Sequence, residues 1–202
     1  MKKIKLIIFD LDGVIVDSKL NMKFAWDFVK KNKKINVSFN TYFKNIGIPF
    51  EDILIKVGIK NNIQQITKTY SKGSIKYFNK IKIFKGAKSV INKLNKDYYL
   101  ALLTSKDLKR TKLIIKKFKL KFDSINCPVS GKQGKPNPWQ IIKMIKKYKL
   151  EKKKVVYVGD TKVNLKTAKN AGINFFYAKY GYEGSKNIKY SLKNIKEIYN
   201  YL

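Results

Sequence analysis

Four short stretches of this chain carry side chains able to do chemistry together. Asp10-Leu11-Asp12-Gly13 sets two carboxylates two residues apart, on the same side of an extended chain and just before a glycine turn. Thr104-Ser105-Lys106 offers a hydroxyl pair, Gly134-Lys135-Pro136 an ammonium in a loop, and Gly159-Asp160-Thr161 a third carboxylate. The chain has no histidine, which excludes Ser-His-Asp and Cys-His catalysis and any His-ligated metal centre. Chemistry must run on carboxylates, lysine, Ser or Thr hydroxyls and backbone groups.

The elements that would hold these groups are legible from periodicity. Apolar runs ending in polar residues over 5–9, 98–103, 155–158 and 173–177 read as buried strands of a parallel sheet, with a weaker fifth near 122–126. Between them, apolar residues recur at helical spacing over 87–95, 108–118, 138–148 and 162–171. Helix alternating with strand predicts an α/β fold, a doubly wound, Rossmann-like parallel five-stranded sheet. In such sheets ligands sit beyond the carboxyl ends of the strands, and that edge is where the four stretches converge. Residues 18–80 break the alternation and read as a helical insert. Its apolar faces are Met22, Phe24 and Phe28, then Tyr42, Phe43 and Ile46, then Ile53, Leu54 and Val57, punctuated by Gly47, Pro49 and Gly58. Ser18 suits the N-cap of the first insert helix. Trp26 and Trp139 read as packing residues rather than stacking platforms.

Composition narrows the partners. Lys and Arg number 46 against 13 Asp and Glu, a formal charge of +33, and Arg110 is the sole arginine. The lysines are spread along the whole chain, and Lys, Asn and Ile are abundant together, which favours compositional drift over a nucleic-acid or lipid surface. The field still draws in anionic substrates in a salt-sensitive way. A single cysteine, Cys127, permits no internal disulfide and fits a cytoplasmic setting. The apolar run after Met1 is too short for a signal peptide and is interrupted by Asp10 and Asp12, and no stretch is long enough to span a membrane.

Phe9-Asp10-Leu11-Asp12-Gly13-Val14-Ile15-Val16-Asp17-Ser18, Leu103-Thr104-Ser105, Gly134-Lys135-Pro136-Asn137-Pro138 and Val158-Gly159-Asp160-Thr161, in this order, resemble the four motifs of the haloacid dehalogenase superfamily, in its phosphoglycolate phosphatase-like branch. The resemblance spans essentially the whole chain. It implies a core formed by 1–17 and 81–202 and a helical cap formed by 18–80, with hinges near Asp17-Ser18 and 81–86. It implies Asp10 as the nucleophile, Asp12 as general acid and base, and Thr104 and Lys135 as further catalytic groups on the phosphate. Gly13, Ser105 and Lys44 are the implied substrate-binding residues; Lys44 lies in what resembles the substrate-facing cap loop and is otherwise a solvated lysine before a turn. Asp10, the Asp12 carbonyl, Asp160 and Asn164 are the implied Mg2+ ligands. Asn164 departs from the acid common at its position, so it serves as a neutral ligand or acts only through water.

The same motifs weigh against neighbouring activities. Dehalogenase- and phosphonatase-like members lack an acid at the position of Asp12, and mutase-like members use a cap histidine. The expected activity is therefore Mg2+-dependent hydrolysis, through an aspartyl phosphate, of a small anionic phosphomonoester: phosphoglycolate, a sugar phosphate or a nucleoside monophosphate. The alternative is a basic nucleic-acid- or partner-binding protein on the same fold. The large uniform charge predicts a monomer.

Overall fold

The computed structural model describes residues 3–184 and 188–202 of the 202-residue chain. The basic leader Met1-Lys2 of the first apolar run lies outside the described residues.

The first strand, β1 (Leu6–Phe9), is wholly buried and alternates strictly between the two faces of the sheet. Ile7 and Phe9 enter one hydrophobic core and Leu6 and Ile8 the other. A two-stranded antiparallel ribbon of β2 (Val16–Asp17) and β3 (Lys82–Ile83) flanks the insert, so the chain leaves and re-enters the sheet layer through paired strands. The insert holds α1 (Lys19–Lys33), α2 (Phe39–Phe43), α3 (Phe50–Lys56) and α4 (Ile63–Lys76). Next come α5 (Ala87–Leu94), β4 (Tyr99–Leu103), α6 (Leu108–Phe118), β5 (Ser124–Asn126) and α7 (Trp139–Lys147). The chain closes with β6 (Val155–Gly159), α8 (Lys162–Ala171), β7 (Asn174–Ala178) and the short β8 (Ser191–Leu192).

The sheet has six strands in the order β5-β4-β1-β6-β7-β8, all parallel, where periodicity predicts five. The extra strand is a two-residue edge with no apolar run to announce it. α5 and α6 pack Val90, Ile91, Leu94 and Ile114 on one face; α7 and α8 pack Ile141, Met144, Ala168 and Ala171 on the other. The chain runs from β1 outward to β4 on one side and to β6 on the other. The crevice above the carboxyl end of β1 is thus the switch point at which a doubly wound sheet binds its ligands.

The insert has its own core, in which Met22, Trp26, Val29, Leu54 and Ile66 are buried together. The buried face of α1 is Met22, Ala25, Trp26 and Val29, while Phe24 and Phe28 sit at its half-buried border, one step around the helix from the predicted face. Trp26 stacks on Tyr42 and donates its indole N–H to the Val37 carbonyl, a packing role. Trp139 is half-buried and donates to the Gln133 carbonyl. Gly73 lets α4 approach Ala25 and Phe28 of α1 closely. No helix among the described residues is long and apolar enough to cross a membrane.

Candidate active site

Asp10 follows β1 directly and is 5% exposed. Its Oδ1 accepts the Leu11 amide at 2.8 Å, and its Oδ2 accepts Lys135 Nζ at 2.9 Å and Asn164 Nδ2 at 2.8 Å. Lys135 and Asn164 also reach the Tyr157 hydroxyl, at 3.2 and 2.8 Å. Oδ1 keeps a free lone pair, so a buried carboxylate is held in one orientation with one oxygen available. Tyr157, the one polar side chain in β6, lies beneath this cluster; a buried tyrosine hydroxyl needs partners, and that was the signal in the sequence for its place.

Asn164 differs from its expected role. Its Oδ1 accepts the amides of Asp160 and Thr161, each at 3.1 Å, and the Thr161 hydroxyl at 2.7 Å. The Thr161 hydroxyl in turn accepts the Asn164 amide, which closes a capping box at the start of α8. With three donors on its oxygen and its amide nitrogen turned to Asp10, Asn164 is not presented as a metal ligand; it orients Asp10. The spacing Thr161-x-x-Asn164 carried this signal.

Asp12 lies on the turn after Asp10. Its Oδ1 accepts the Ser18 hydroxyl, and its Oδ2 pairs with Lys106 Nζ at 3.2 Å. Ser18 is at the N-cap position of α1 but makes no side-chain cap bond, because Asp12 takes its hydroxyl. Lys106 is buried, which lowers its affinity for its proton, while the Asp12 charge opposes that shift. Thr104 is buried at the end of β4 and accepts the Lys106 amide. The Ser105 hydroxyl donates to the Gly47 carbonyl of the insert at 2.7 Å, so its side chain joins insert to sheet layer.

Asp160 ends β6 with no exposure. Its Oδ2 accepts the Tyr182 amide at 2.8 Å, and its Oδ1, although buried, has no partner among the described residues. Burial, and then the Asp10 charge, push this carboxyl up to about 8. Gly13, with φ +83°, brings its backbone so close that a Cβ there would collide with the Asp160 carboxylate. An orphaned carboxylate oxygen beside a second carboxylate, closely backed by glycine, fits a hard divalent cation. Among the described residues no three His, Cys, Asp or Glu side chains gather as a metal cluster, since the Asp12 carboxylate turns to Lys106 and Ser18. The carboxylates that could hold such a cation are Asp10 and Asp160.

Asp10, Asp12, Thr104, Ser105, Lys106 and Lys135 border a cavity of about 60 Å3 between sheet edge and insert, while Asp160 lies outside its lining. A water needs about 10–15 Å3 by this measure, so the space takes roughly four to six waters' worth of ligand. The insert contributes Met22, Tyr42, Ile46, Phe50 and Tyr70, and the sheet layer adds Arg110. Lys44 is not among the lining residues: it is exposed at the end of α2. Tyr42 and Ile46, four apart, turn inward, and a residue midway between them turns out. Neither Lys106 nor Arg110 was singled out by motif reading, and both are buried cations at the cavity.

The sequence profile of the family described as haloacid dehalogenase-like hydrolase matches residues 7–178. The chain is 27% identical over 183 residues to a protein of Caldanaerobacter subterraneus assigned as pyrophosphatase PpaX, covering 88% of this chain and 83% of that one. It is 28% identical over 207 residues to the phosphoglycolate phosphatase of Pasteurella multocida, covering 90% and 88%. Its fold superposes with a TM-score of 0.85 on the haloacid dehalogenase-like family protein SP0104 of Streptococcus pneumoniae, at 22% identity and over 100% and 99% of the two chains. With the family profile spanning all four motif positions on this fold, the chain belongs to the haloacid dehalogenase-like hydrolases.

Proposed function

We propose that this hydrolase is a Mg2+-dependent phosphatase that cleaves a small phosphomonoester through an aspartyl phosphate on Asp10. The observation that carries the reading is Asp10 itself: a buried carboxylate fixed by Lys135 and Asn164 that borders the cavity between sheet edge and insert. Residues 1–17 and 81–202 act as the catalytic core and 18–80 as a cap that excludes bulk water during attack.

In the first step an Asp10 oxygen attacks phosphorus, the ester P–O bond breaks, and Asp12 gives its proton to the leaving alkoxide. In the second, Asp12 takes a proton from water as its oxygen attacks phosphorus, and the Asp10 acyl phosphate bond breaks. Lys106 holds the Asp12 carboxylate between turns. Lys135 offsets the phosphate charge and the Asp10 charge together. Thr104, the Ser105 amide and the Gly13 turn line the phosphate side. Asp10, Asp160 and the Asp12 carbonyl would hold Mg2+, which supplies charge neutralisation of the phosphate oxygens when bound. Phosphoglycolate, a sugar phosphate and a nucleoside monophosphate are the candidate esters. The names of the relatives, phosphoglycolate phosphatase and pyrophosphatase, support the same class.

The test is phosphate release from a panel of phosphorylated metabolites in Mg2+ and in EDTA, with wild type beside Asp10→Asn. Turnover that requires the metal and disappears in the variant is the expected result. Turnover that survives Asp10→Asn overturns the mechanism, and its absence across the panel from folded, Mg2+-loaded protein overturns the activity.

A further inference from the structure

Arg110 is the only arginine among 46 basic residues, and it is 7% exposed. It sits in the first turn of α6, where the Asp107 side chain caps the helix by accepting the Arg110 amide and also takes the guanidinium Nε. Asp107 takes that edge of the guanidinium and is itself 44% exposed, and the guanidinium also hydrogen-bonds the Tyr70 side chain. The guanidinium carbon lies 5.1 Å from the centre of the Tyr70 ring, and the Tyr70 hydroxyl is 2.8 Å from that of Tyr42. All three residues border the cavity that also exposes Asp10, Thr104 and Lys135. The other cations there are engaged, Lys135 by Asp10 and Lys106 by Asp12.

We propose that Arg110, with the Tyr42 and Tyr70 hydroxyls, forms a second anion subsite facing Asp10, so that the preferred ester carries another oxyanion within a few bonds of its phosphate. This rests on the phosphatase reading and names the substrate class of the same site. Three features carry it. A guanidinium presents paired N–H donors that match the two oxygens of a carboxylate or phosphoryl group, which a lysine ammonium does not. Elsewhere in the chain lysine supplies every positive charge, so the planar fork is placed only here, at a buried position. Arg110 borders the same cavity as Asp10, Thr104 and Lys135, which sets a second oxyanion bound there close to the phosphate. The subsite belongs partly to each layer, Arg110 to α6 and the tyrosines to α2 and α4, so a ligand bridging phosphate and guanidinium also holds the insert closed.

The experiment compares kcat/KM for 2-phosphoglycolate, pyrophosphate and ethyl phosphate in wild type, Arg110→Lys and Arg110→Gln. Ethyl phosphate has nearly the size of phosphoglycolate but no second anion. Wild type is expected to prefer at least one substrate bearing a second anionic group over ethyl phosphate by about 10- to 100-fold, the worth of a charge-assisted pair of hydrogen bonds. That ratio collapses in Arg110→Gln and falls partway in Arg110→Lys, which keeps the charge and loses the fork. Whether phosphoglycolate or pyrophosphate holds the advantage identifies the second group as carboxylate or phosphoryl. A wild type with no preference overturns the subsite without any variant being needed. So does an equal loss on all three substrates, since a guanidinium that only tied Tyr70 to α6 would slow every ester alike. If none of the three is turned over, the phosphatase reading is what has failed. Calorimetric binding of phosphonoacetate against ethylphosphonate, in wild type and Arg110→Lys, then decides the subsite alone: preferential binding lost in the variant upholds it, and equal binding overturns it.

Discussion

Replacing Asn164 by aspartate tests how Asp10 is held and whether a divalent cation belongs beside it. In the native chain Asn164 Nδ2 donates to Asp10 Oδ2 at 2.8 Å. A carboxylate oxygen in place of that nitrogen sets two negative charges at the same separation. At an effective dielectric of about 20 their repulsion is about 6 kcal/mol, falling to about 4 kcal/mol if the pair relaxes to about 4 Å. For a domain of this size about 4 kcal/mol corresponds to roughly 8–16 °C in Tm. The three hydrogen bonds received by Asn164 Oδ1 survive the substitution, so the change is confined to the Nδ2 side, which faces Asp10 and the Tyr157 hydroxyl. Thermal melts are run in EDTA and in millimolar Mg2+. In EDTA the Asn164→Asp variant is expected to melt roughly 8–16 °C below wild type. In Mg2+ more than half of that gap closes, because a cation beside Asp10 and Asp160 offsets the added charge. Asn164→Ala loses the same donor without adding charge, so Mg2+ leaves its deficit in place. A variant as stable as wild type in EDTA would refute the orientation of the Asn164 amide toward Asp10. A gap that Mg2+ does not narrow would refute the cation site.

Other perturbations follow from the same geometry. Gly13→Ala forces a side chain into a left-handed turn and against the Asp160 carboxylate; activity is expected to fall at least about 100-fold, with weaker Mg2+ binding by calorimetry, and a variant that binds Mg2+ like wild type counts against the close Gly13–Asp160 packing. Ser105→Ala removes the bond to the Gly47 carbonyl, about 0.5–1.5 kcal/mol of the closed arrangement, and limited proteolysis should cut within 18–80 about 2- to 10-fold faster; unchanged cleavage means that bond does not hold the insert down. The charge of +33 should make kcat/KM for an anionic ester fall as ionic strength rises from about 0.01 to about 0.15 M while kcat stays level, and a flat kcat/KM removes the steering argument.

The strand ends were legible because depth in a parallel sheet is written in one dimension. An apolar run such as Leu6–Phe9 can only be interior, and the residue after it must emerge at the carboxyl edge, so Asp10, Thr104 and Asp160 followed from where the runs stop. β8 escaped because a two-residue edge strand has no run to stop. What a side chain faces is set by helix rotation and by neighbours distant in sequence, and in two places the structure turns a side chain elsewhere than motif position implies. Lys44 has the right charge in the right loop, but Tyr42 of α2 and Ile46 of the turn after it take the cavity-lining positions, and the lysine is exposed between them. Asn164 has the right place for a ligand, but the first turn of α8 must satisfy its own free amides, and the asparagine oxygen goes to them. That second outcome has a chemical consequence. An aspartate with its oxygen on the same amides could not also donate to Asp10; the asparagine does both, and so orients Asp10 with a neutral donor that leaves its charge to be balanced by Lys135, as Lys106 balances that of Asp12.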